Sequence, residues 1–354
     1  MKMRILLVLV MLALMLSAAQ VERLVSDDMV VRAQKVVTIG YAAPALVGGQ
    51  LDIQNSLVVA ARKLGWAVIT TNANGDPQTQ NDDIDYFISL GVDAIVAVPQ
   101  DSAAICAAVE KAREANIPFY TIDRSPTGCK INMTVLSDNR LAGQQSGQAV
   151  VDFLTQKYGK PQGKVLEITG DLGQNVGVLR RDGFHDILDK YPDIQVIQKV
   201  GDWQADRGQK IVTDVATANP DLDAIYMHSD FVYMEGTIAA LKQLGMLYPR
   251  GEKGHIFLAA VDGGPIGLKA IRDGWADQCS TQPVPDFGIV VNWIDKELKG
   301  EKIEEGEVVQ EGALWSPAQI KINQDGTPEL FLSTTSATPE NVDDPGLWGN
   351  KTIA

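Results

Sequence analysis

The feature that most constrains the fold is an alternation of short apolar segments with amphipathic ones, which starts at Lys35. The apolar segments are hydrophobic almost throughout, which is typical of strands covered on both faces. The segments between them have helical spacing: in residues 103–115, Ile105 and Val109 lie on one side and Glu110 on the other. Alternating strands and helices with short links predict βαβ units and therefore parallel sheets. The apolar segments are 36–42, 66–71, 93–99, 117–123, 131–136, 164–170, 194–200, 223–229 and 255–262.

The alternation repeats in two halves, and a chain of 354 residues is long enough for two domains. Residues 93–101 lead through a helix to a strand ending at Asp123, and residues 223–230 lead through a helix to a strand ending at Asp262. In an open parallel sheet, ligands bind at the carboxyl ends of the strands. Two such edges facing each other would form a polar cleft. The polar residues at these ends are Gln100, Asp101, Asp123 and Arg124 in one half, and Ser229, Asp230 and Asp262 in the other.

The first residues have the pattern of a secretory signal peptide. Lys2 and Arg4 precede an apolar block at 5–16 and then a small-residue site, which predicts cleavage after Ala19. The block is short for a membrane span, and an uncleaved anchor is the alternative. We therefore expect a signal peptide at 1–19 and a periplasmic or other extracytoplasmic protein. The net charge of −14 argues against nucleic acid or anionic lipid as a partner.

The residues give little support for catalysis or metal binding. His185, His228 and His255 have no Ser or Cys nucleophile in a recognisable setting. The oxygen-rich stretches 72–83 and 323–329 do not fit a calcium-binding loop, and turn chemistry explains them. We therefore expect no catalytic residue, no metal and no cofactor.

Several segments match a known family in order and spacing. From about Val36 to Leu332 the chain resembles the ribose-binding-like group of periplasmic sugar-binding proteins of ABC importers. The resemblance implies an α/β fold with two doubly wound parallel-sheet lobes joined by three hinge crossovers, the type I periplasmic binding protein architecture. It also implies a monomer that closes on a sugar and docks on a membrane permease. The matching segments are GVDAIVAVPQDSAA, ANIPFYTIDR, SDNRLAGQQSG, RRDGF, PDLDAIYMHSD, VDGGPIGLKAIRDG and KELKGEK.

The resemblance also implies where the chain passes between the lobes. The crossovers would fall near Ser137–Asp138, near Gln282–Val284 and near Val308–Gln310. With these crossovers, lobe one would combine 36–137 with about 284–308, and lobe two would combine 138–283 with about 309–332.

The tail at 333–354 is rich in Thr, Ser, Pro, Asn and Asp. We therefore expect it to be irregular, either pinned to the surface by Trp348 or partly disordered.

When the ligand-binding residues of the family are matched one by one to this sequence, the resemblance implies a set of sugar contacts. A carboxylate beside a guanidinium can accept from and donate to ring hydroxyls, and an indole packs against the C–H face of a sugar. Structural roles are the alternatives: a surface ion pair for Asp123–Arg124, packing for Trp203, a helix N-cap for Asp262 and a hinge bridge for Gln282. The implied contacts are Asp123, Arg124, Arg180, Trp203, Ser229 or its neighbour Asp230, Asp262 and Gln282.

The loop after the first strand departs from the family. Where relatives of the ribose group carry an Asn and two adjacent Phe, this chain has Gly48, Gln50 and Leu51. We therefore expect the ligand to be held differently from ribose. Gln50 would supply a hydrogen bond, and Tyr41 or Phe231 would supply the missing apolar face.

The cysteines indicate one disulfide. Cys106 lies in the helix that follows the strand ending at Pro99, and Cys129 lies in the loop after Arg124. Adjacent βα units bring their carboxyl-end loops close together, so we predict a Cys106–Cys129 bridge in an oxidising compartment. We expect Cys279 to be a small buried residue.

The combined interpretation is an extracytoplasmic solute-binding protein. It would capture a neutral sugar or polyol between two lobes and deliver it to an ABC permease. A sugar-sensing module for a membrane receptor is the second interpretation. A secreted carbohydrate-active enzyme is the third, and it would need a pair of carboxylates, which Asp123 and Asp262 could imitate. A transcription regulator is disfavoured by the signal peptide and by the lack of a basic helix-turn-helix.

Overall fold

The structure is a computed structural model, and it describes residues Val36–Lys351. The predicted signal peptide at 1–19 lies outside the described residues. Two β-sheets form the centres of two lobes, and each sheet has a hydrophobic cluster on each of its faces.

The first sheet contains strands from the start and the end of the described chain. The order across it is β11-β12-β13-β5-β4-β3-β1-β2, and β11 and β12 form its antiparallel edge. The other neighbours, including β13 beside β5, are parallel. The bounds are β1 Thr38–Ala43, β2 Ala67–Asn72, β3 Ala94–Ala97, β4 Phe119–Ile122, β5 Met133–Ser137, β11 Gly306–Val308, β12 Ala318–Ile322 and β13 Pro328–Leu332.

The second sheet is built mainly from the middle of the chain. Its order is β14-β10-β9-β8-β6-β7, and β14 is antiparallel to β10 while the other neighbours are parallel. The bounds are β6 Gly163–Thr169, β7 Ile194–Val200, β8 Ala224–Met227, β9 Phe257–Asp262, β10 Gln278–Thr281 and β14 Thr335–Ala337.

Helices connect the parallel strands, as the alternation predicts. The α-helices are α1 Gln50–Lys63, α2 Pro77–Leu90, α3 Cys106–Glu114, α4 Asn139–Tyr158, α5 Asn175–Leu188, α6 Ala205–Ala218, α7 Asp230–Gln243, α8 Pro265–Arg272 and α9 Val291–Leu298. Short 3₁₀ helices span Val284–Val290 and Trp348–Asn350.

The central strands are buried on both faces, which confirms the α/β fold class. Along β1, Ile39 and Tyr41 belong to one hydrophobic cluster and Ala42 belongs to the cluster on the other face. Successive side chains of a strand point to opposite faces, so a strand covered twice must be apolar throughout. The continuous apolar segments of the sequence are therefore a direct consequence of the two layers of helices.

The chain passes between the two sheets at three places, and the last of them does not lie where we predicted it. The chain leaves the first sheet after Ser137 and returns to it after Thr281. The assignment of 309–332 to the second lobe is wrong, because β12 and β13 form an antiparallel hairpin and β13 pairs with β5. The third crossover therefore lies between Leu332 and Thr335.

The C-terminal tail is also more ordered than expected. Residues 335–337 form β14 at the edge of the second sheet, and the following turns lead to the 3₁₀ helix that contains Trp348. Trp348 is only 4% exposed, so it lies within the structure rather than on its surface. None of the helices within Val36–Lys351 combines the length and apolar character that crossing a bilayer requires.

The structure contains the predicted disulfide between Cys106 and Cys129. The two Cα atoms are 5.7 Å apart, within the usual range for a bridge, and the residues are separated by 23 positions. The bridge joins the start of α3 to the loop after β4. Cys279 is a buried free thiol, as expected.

We predict that the disulfide can be detected by counting reactive thiols and by measuring the free energy of unfolding. Denatured, non-reduced protein should react at one thiol per chain and reduced protein at three, since the sequence has three cysteines. Replacing Cys106 and Cys129 together by Ser should lower the free energy of unfolding in urea by about 3 kcal/mol, the entropic expectation for a loop of this size. Three reactive thiols without reductant would contradict the bridge.

Candidate functional site

The polar residues at the carboxyl ends of the strands come together around one cavity between the lobes. The first lobe contributes the end of β4, and the second contributes the ends of β8, β9 and β10. The cavity measures about 80 Å³, well below the roughly 300–1,000 Å³ of pockets for drug-sized molecules, so it suits a small ligand. Its lining residues are Val47, Gly48, Gly49, Gln50, Ile53, Asp123, Arg124, Val176, Arg180, Trp203, Ser229, Val232, Asp262, Gln282, Val284 and Trp348.

Asp123 and Arg124 form the charged part of the first lobe. They are 7% and 8% exposed, and Arg124 Nε lies 3.7 Å from Asp123 Oδ2. Gln50 Nε2 donates to Asp123 Oδ2 at 3.0 Å, and Arg124 Nη1 donates to the carbonyl of Pro99 at 3.1 Å. Burial raises the pKa of Asp123 and lowers that of Arg124, and the attraction between them opposes both shifts. The pair is therefore buried in the cavity wall, unlike an exposed surface ion pair.

Arg180 and Asp262 form the corresponding pair of the second lobe. Arg180, from α5, is 4% exposed and donates through Nη1 to Asp262 Oδ1 at 3.0 Å and to the carbonyl of His228. Ser229 Oγ donates to the other carboxylate oxygen of Asp262 at 2.5 Å and also caps α7 by accepting from Val232 N. Both oxygens of Asp262 are thus held by the protein, which fixes the carboxylate beside the cavity.

Trp203 supplies an aromatic wall on the second lobe. Its indole Nε1 donates to Gln174 Oε1 at 2.7 Å, and the guanidinium of Arg180 lies 5.8 Å from the ring centre. Gly170 lies directly against the indole, since a Cβ there would be 1.9 Å from Trp203 Cζ2. The ring is therefore positioned by both a hydrogen bond and close backbone contact, and it lines the cavity with its neighbours.

Backbone strain is concentrated at the site. Asp123, Trp203 and Asp262 have φ angles of 65°, 54° and 100°, in the left-handed region that non-glycine residues rarely adopt. Each such residue costs on the order of 1–3 kcal/mol and persists where the surroundings hold it in place. Three strained residues on one cavity are typical of a functional site.

Three cavity-lining side chains have buried polar atoms that lack a hydrogen-bond partner among the described residues, although one of them, Arg124 Nε, belongs to the ion pair with Asp123. These atoms are Gln50 Oε1, Arg124 Nε and Gln282 Oε1. Gln282 also donates to Asn139 Oδ1 at 3.4 Å, which in turn accepts from Arg180 Nε at 2.8 Å. Buried polar groups normally have hydrogen-bond partners, so these atoms leave donor and acceptor capacity unused in the cavity lining.

Two of the expected contacts lie behind the cavity rather than along it. Tyr41 is fully buried in the core of the first lobe, because its position in β1 points into the helix layer. Asp230 is also fully buried and accepts from Gly264 N at 3.0 Å. Burial, followed by the charge of Asp262, raises the pKa of Asp230 well above its usual range, which favours a neutral carboxyl. Ser229, and not Asp230, therefore reaches the cavity.

Sequence reasoning missed three residues that complete the site. Asn139, at the start of α4, connects Arg180 to Gln282, and Gln174 holds Trp203. Asn139 lies in the SDNR segment that carried the family resemblance, so a signal for it was present. Trp348 comes from the tail, where no periodic pattern indicates a neighbour.

Direct bonds join the lobes beside the cavity. Gln174 Nε2 donates to the carbonyl of Gln100 at 2.9 Å, and Asn175 N donates to Ser102 Oγ at 3.1 Å. Ser125 N donates to Asn175 Oδ1 at 3.1 Å. Residues 100–125 belong to the first lobe and residues 174–175 to the second, so the structure shows the lobes closed on each other.

A larger groove, of about 950 Å³, lies at the amino ends of β9 and β10. Its buried carboxylate, Asp277, is already paired with His255 at 2.9 Å and Arg250 at 3.2 Å. Parallel sheets bind ligands at their carboxyl ends, and the buried carboxylate of this groove already has charged partners. The smaller cavity between the lobes is therefore the better candidate site.

A buried carboxylate and two histidines lie behind Arg180. Glu167 accepts from His185 Nε2 and His228 Nε2, both at 3.1 Å. Burial alone would raise the pKa of Glu167, but the hydrogen bonds from the histidines outweigh it and lower the pKa to about 2. The bond to Glu167 raises the pKa of His185 to about 9, whereas burial lowers the pKa of His228. His185 is therefore the charged partner, and His228 is neutral.

We predict a pH-dependent contribution of His185 to stability. Because folding raises the pKa of His185 from 6.5 to about 9, its contribution is complete below pH 6.5 and is lost as the pH rises through 9. The free energy of unfolding should fall by about 1–2 kcal/mol more in wild type than in His185→Gln over this range, measured by urea denaturation. Identical pH profiles for the two proteins would contradict the charged pair.

The chain is similar to proteins of one family. Residues 39–302 match the family model described as periplasmic binding protein domain. The ribose import binding protein RbsB of Bacillus subtilis (strain 168) is 31% identical over 242 residues, covering 68% of this chain and 74% of that protein. The xylitol-binding protein of Mycolicibacterium smegmatis is 28% identical over 209 residues, covering 58% of this chain and 56% of that protein. The crystal structure of a galactofuranose binding protein shares the fold, with a TM-score of 0.74, 23% identity, and coverage of 87% of this chain and 96% of that one.

Proposed function

The chain belongs to the periplasmic binding protein family, and on this premise we propose that it captures a neutral sugar or polyol between its lobes and delivers it to an ABC permease. The relatives named for ribose import and xylitol binding support this class of ligand. The proposal includes an extracytoplasmic location, a cleaved signal peptide and a monomeric state.

The observation that carries the proposal is the set of buried polar atoms around the cavity that lack a hydrogen-bond partner among the described residues. The first lobe contributes Gln50 Oε1 and Arg124 Nε, and the hinge contributes Gln282 Oε1. A hydroxyl group donates and accepts at once, so several hydroxyls on a small ring match a mixed set of acceptors and donors. The indole of Trp203 adds an apolar surface for the C–H groups of the same ligand.

The charge balance of the cavity supports a neutral ligand. Asp123 and Asp262 are matched by Arg124 and Arg180, so the charged side chains of the lining sum to zero. A phosphate or a carboxylate would meet two acids as well as two guanidinium groups. Charge-assisted hydrogen bonds to hydroxyls use these groups without adding an unpaired charge to a buried site.

The two lobes explain how binding would be coupled to closure. Each lobe carries one of the two charged pairs, so the ligand makes its full set of bonds only when the lobes meet. Binding would therefore shift the population from open to closed molecules, and the closed surface would dock on the permease. Co-purification with a permease in the presence of the sugar supports import, whereas co-purification with a membrane receptor supports the sensing alternative.

The arrangement favours binding over hydrolysis. Both oxygens of Asp262 are engaged by Arg180 and Ser229, and Asp123 is engaged by Gln50 and lies beside Arg124. A glycosidase needs one carboxyl that protonates the leaving group and another that attacks or activates water. Carboxylates fixed in these bonds are suited to hold hydroxyls, and we propose no catalytic role for them.

A thermal-shift panel tests the proposal. The purified protein would be heated with D-ribose, D-xylose, L-arabinose, xylitol or myo-inositol in turn. A ligand present at 100 times its Kd stabilises the native state by about 2.7 kcal/mol, which corresponds to a rise of roughly 4 °C in Tm for a chain of this length. We expect one or a few compounds to give such a rise. A panel of these and further neutral sugars that leaves Tm unchanged would contradict the proposal.

Neighbouring arginines on α5 offer a matched pair of variants. Arg180→Ala should raise Kd at least about 100-fold, because it removes charged hydrogen bonds at the cavity and leaves Asp262 without its guanidinium. Arg181→Ala is the control, since Arg181 is half-buried and paired with its neighbour Asp182 outside the cavity. Its Kd should stay within about twofold of wild type.

Asp123→Asn provides a second test that keeps the shape of the side chain. The amide removes the negative charge beside Arg124, so we expect the sugar-induced thermal shift to fall to less than about half. Full thermal shifts in both Arg180→Ala and Asp123→Asn would show that the site has been assigned to the wrong residues.

A further inference from the structure

The C-terminal tail is attached to the second lobe. β14 pairs with β10, and Gly349 N donates to the carbonyl of Gly263 at 3.0 Å. Arg272 of α8 holds the tail by donating to Asp343 Oδ1 and Asn350 Oδ1, both at 2.7 Å. These contacts make the tail part of the second lobe up to the residues that flank Trp348.

The side chain of Trp348 nevertheless lies against the first lobe. Its Nε1 donates to Asp52 Oδ2 at 3.1 Å, and Asp52 lies in the first turn of α1. Its ring lies directly on Gly49, where a Cβ would be 2.5 Å from Trp348 Cη2. Trp348 belongs to the main hydrophobic cluster of the first lobe and also lines the cavity.

The first lobe is shaped to accept this indole. The loop 44–49 between β1 and α1 contains no aromatic residue and ends in Gly48 and Gly49. A side chain at Gly49 would occupy the volume of the Trp348 ring. Phe231, from α7 of the second lobe, supports the ring from another side, with centroids 4.9 Å apart. An aromatic surface that the first lobe lacks is therefore supplied by the tail.

We propose that Trp348 is a specificity-determining residue of the sugar site, forming its second aromatic surface and linking the lobes through Asp52 on closure. This inference rests on the proposed function. Trp203 and Trp348 would together limit the width of the ring that fits, since both indoles line the same cavity and both are fixed by hydrogen bonds. Asp52 does not line the cavity, so it is a positioning residue.

The link to Asp52 has a kinetic consequence. The bond joins a tail held by the second lobe to a helix of the first, so it is made only when the lobes are close. A closed molecule with this bond releases its ligand more slowly than one without it. Removing the bond should therefore increase koff more than it decreases kon.

The test compares three substitutions with one control, using titration calorimetry and stopped-flow dissociation. The probe is the compound among D-ribose, D-xylose, L-arabinose, xylitol and myo-inositol that gives the largest wild-type thermal shift. Trp348→Ala should raise Kd at least tenfold and reduce the differences in Kd among the compounds. Trp348→Phe keeps a ring but loses the donor, and Asp52→Asn weakens the acceptor, so both should raise koff about threefold or more. Trp275→Phe, a half-buried tryptophan outside the cavity, should leave Kd unchanged.

The outcomes separate this inference from the proposed function. If Arg180→Ala abolishes binding while Trp348→Ala stays within twofold of wild type, the site is real and the role of Trp348 is wrong. If no compound shifts the wild-type Tm, the proposed function fails and this inference fails with it. Should Trp348→Ala not unfold cooperatively, Trp348→Phe and Asp52→Asn decide, and unchanged koff in both would overturn the proposal.

Discussion

Two nearly buried pairs of opposite charge, one from each lobe, are the constraint on which the rest of the structure depends. Asp123 with Arg124 and Arg180 with Asp262 lie where two sheet edges meet. Removing charges from water costs several kcal/mol per ion, and apolar residues would join two lobes at less cost. The charged groups are therefore better explained by what they offer a ligand, which is strong and directional donors and acceptors in a small cavity.

The topology brings these charges together. Parallel strands place all their carboxyl ends at one edge, so each lobe can present several polar residues on its rim. The bonds from Gln174 and Asn175 to the first lobe lie on one side of the cavity, and the tail with Trp348 lies on another. The hinge residues Gln282 and Asn139 connect to Arg180. The bonds between the lobes thus lie beside the residues that line the cavity.

The sequence was sufficient for the parts of the fold and site that follow from periodicity. Continuous apolar segments identified the strands that are covered on both faces. Asp123 and Asp262 were predicted as site residues because they stand at the carboxyl ends of two of these strands. The position of the tail could not be predicted from the sequence, because Trp348 and its partner Asp52 are 296 positions apart and their contact leaves no local pattern. The hairpin of β12 and β13 was assigned to the wrong lobe for a similar reason. The pairing of β13 with β5 joins residues 195 positions apart, such as Glu329 and Thr134, and the composition of the hairpin itself does not reveal it.

A crystal structure of the protein grown with the sugar or polyol of largest thermal shift tests the central claim most directly. We predict one ligand between the lobes, with its hydroxyls bonded to Asp123 and Arg124 on one side and to Arg180 on the other. The ligand ring should also contact Trp203. A ligand bonded to a single lobe, or bound in the groove beside His255 and Asp277, would contradict this prediction.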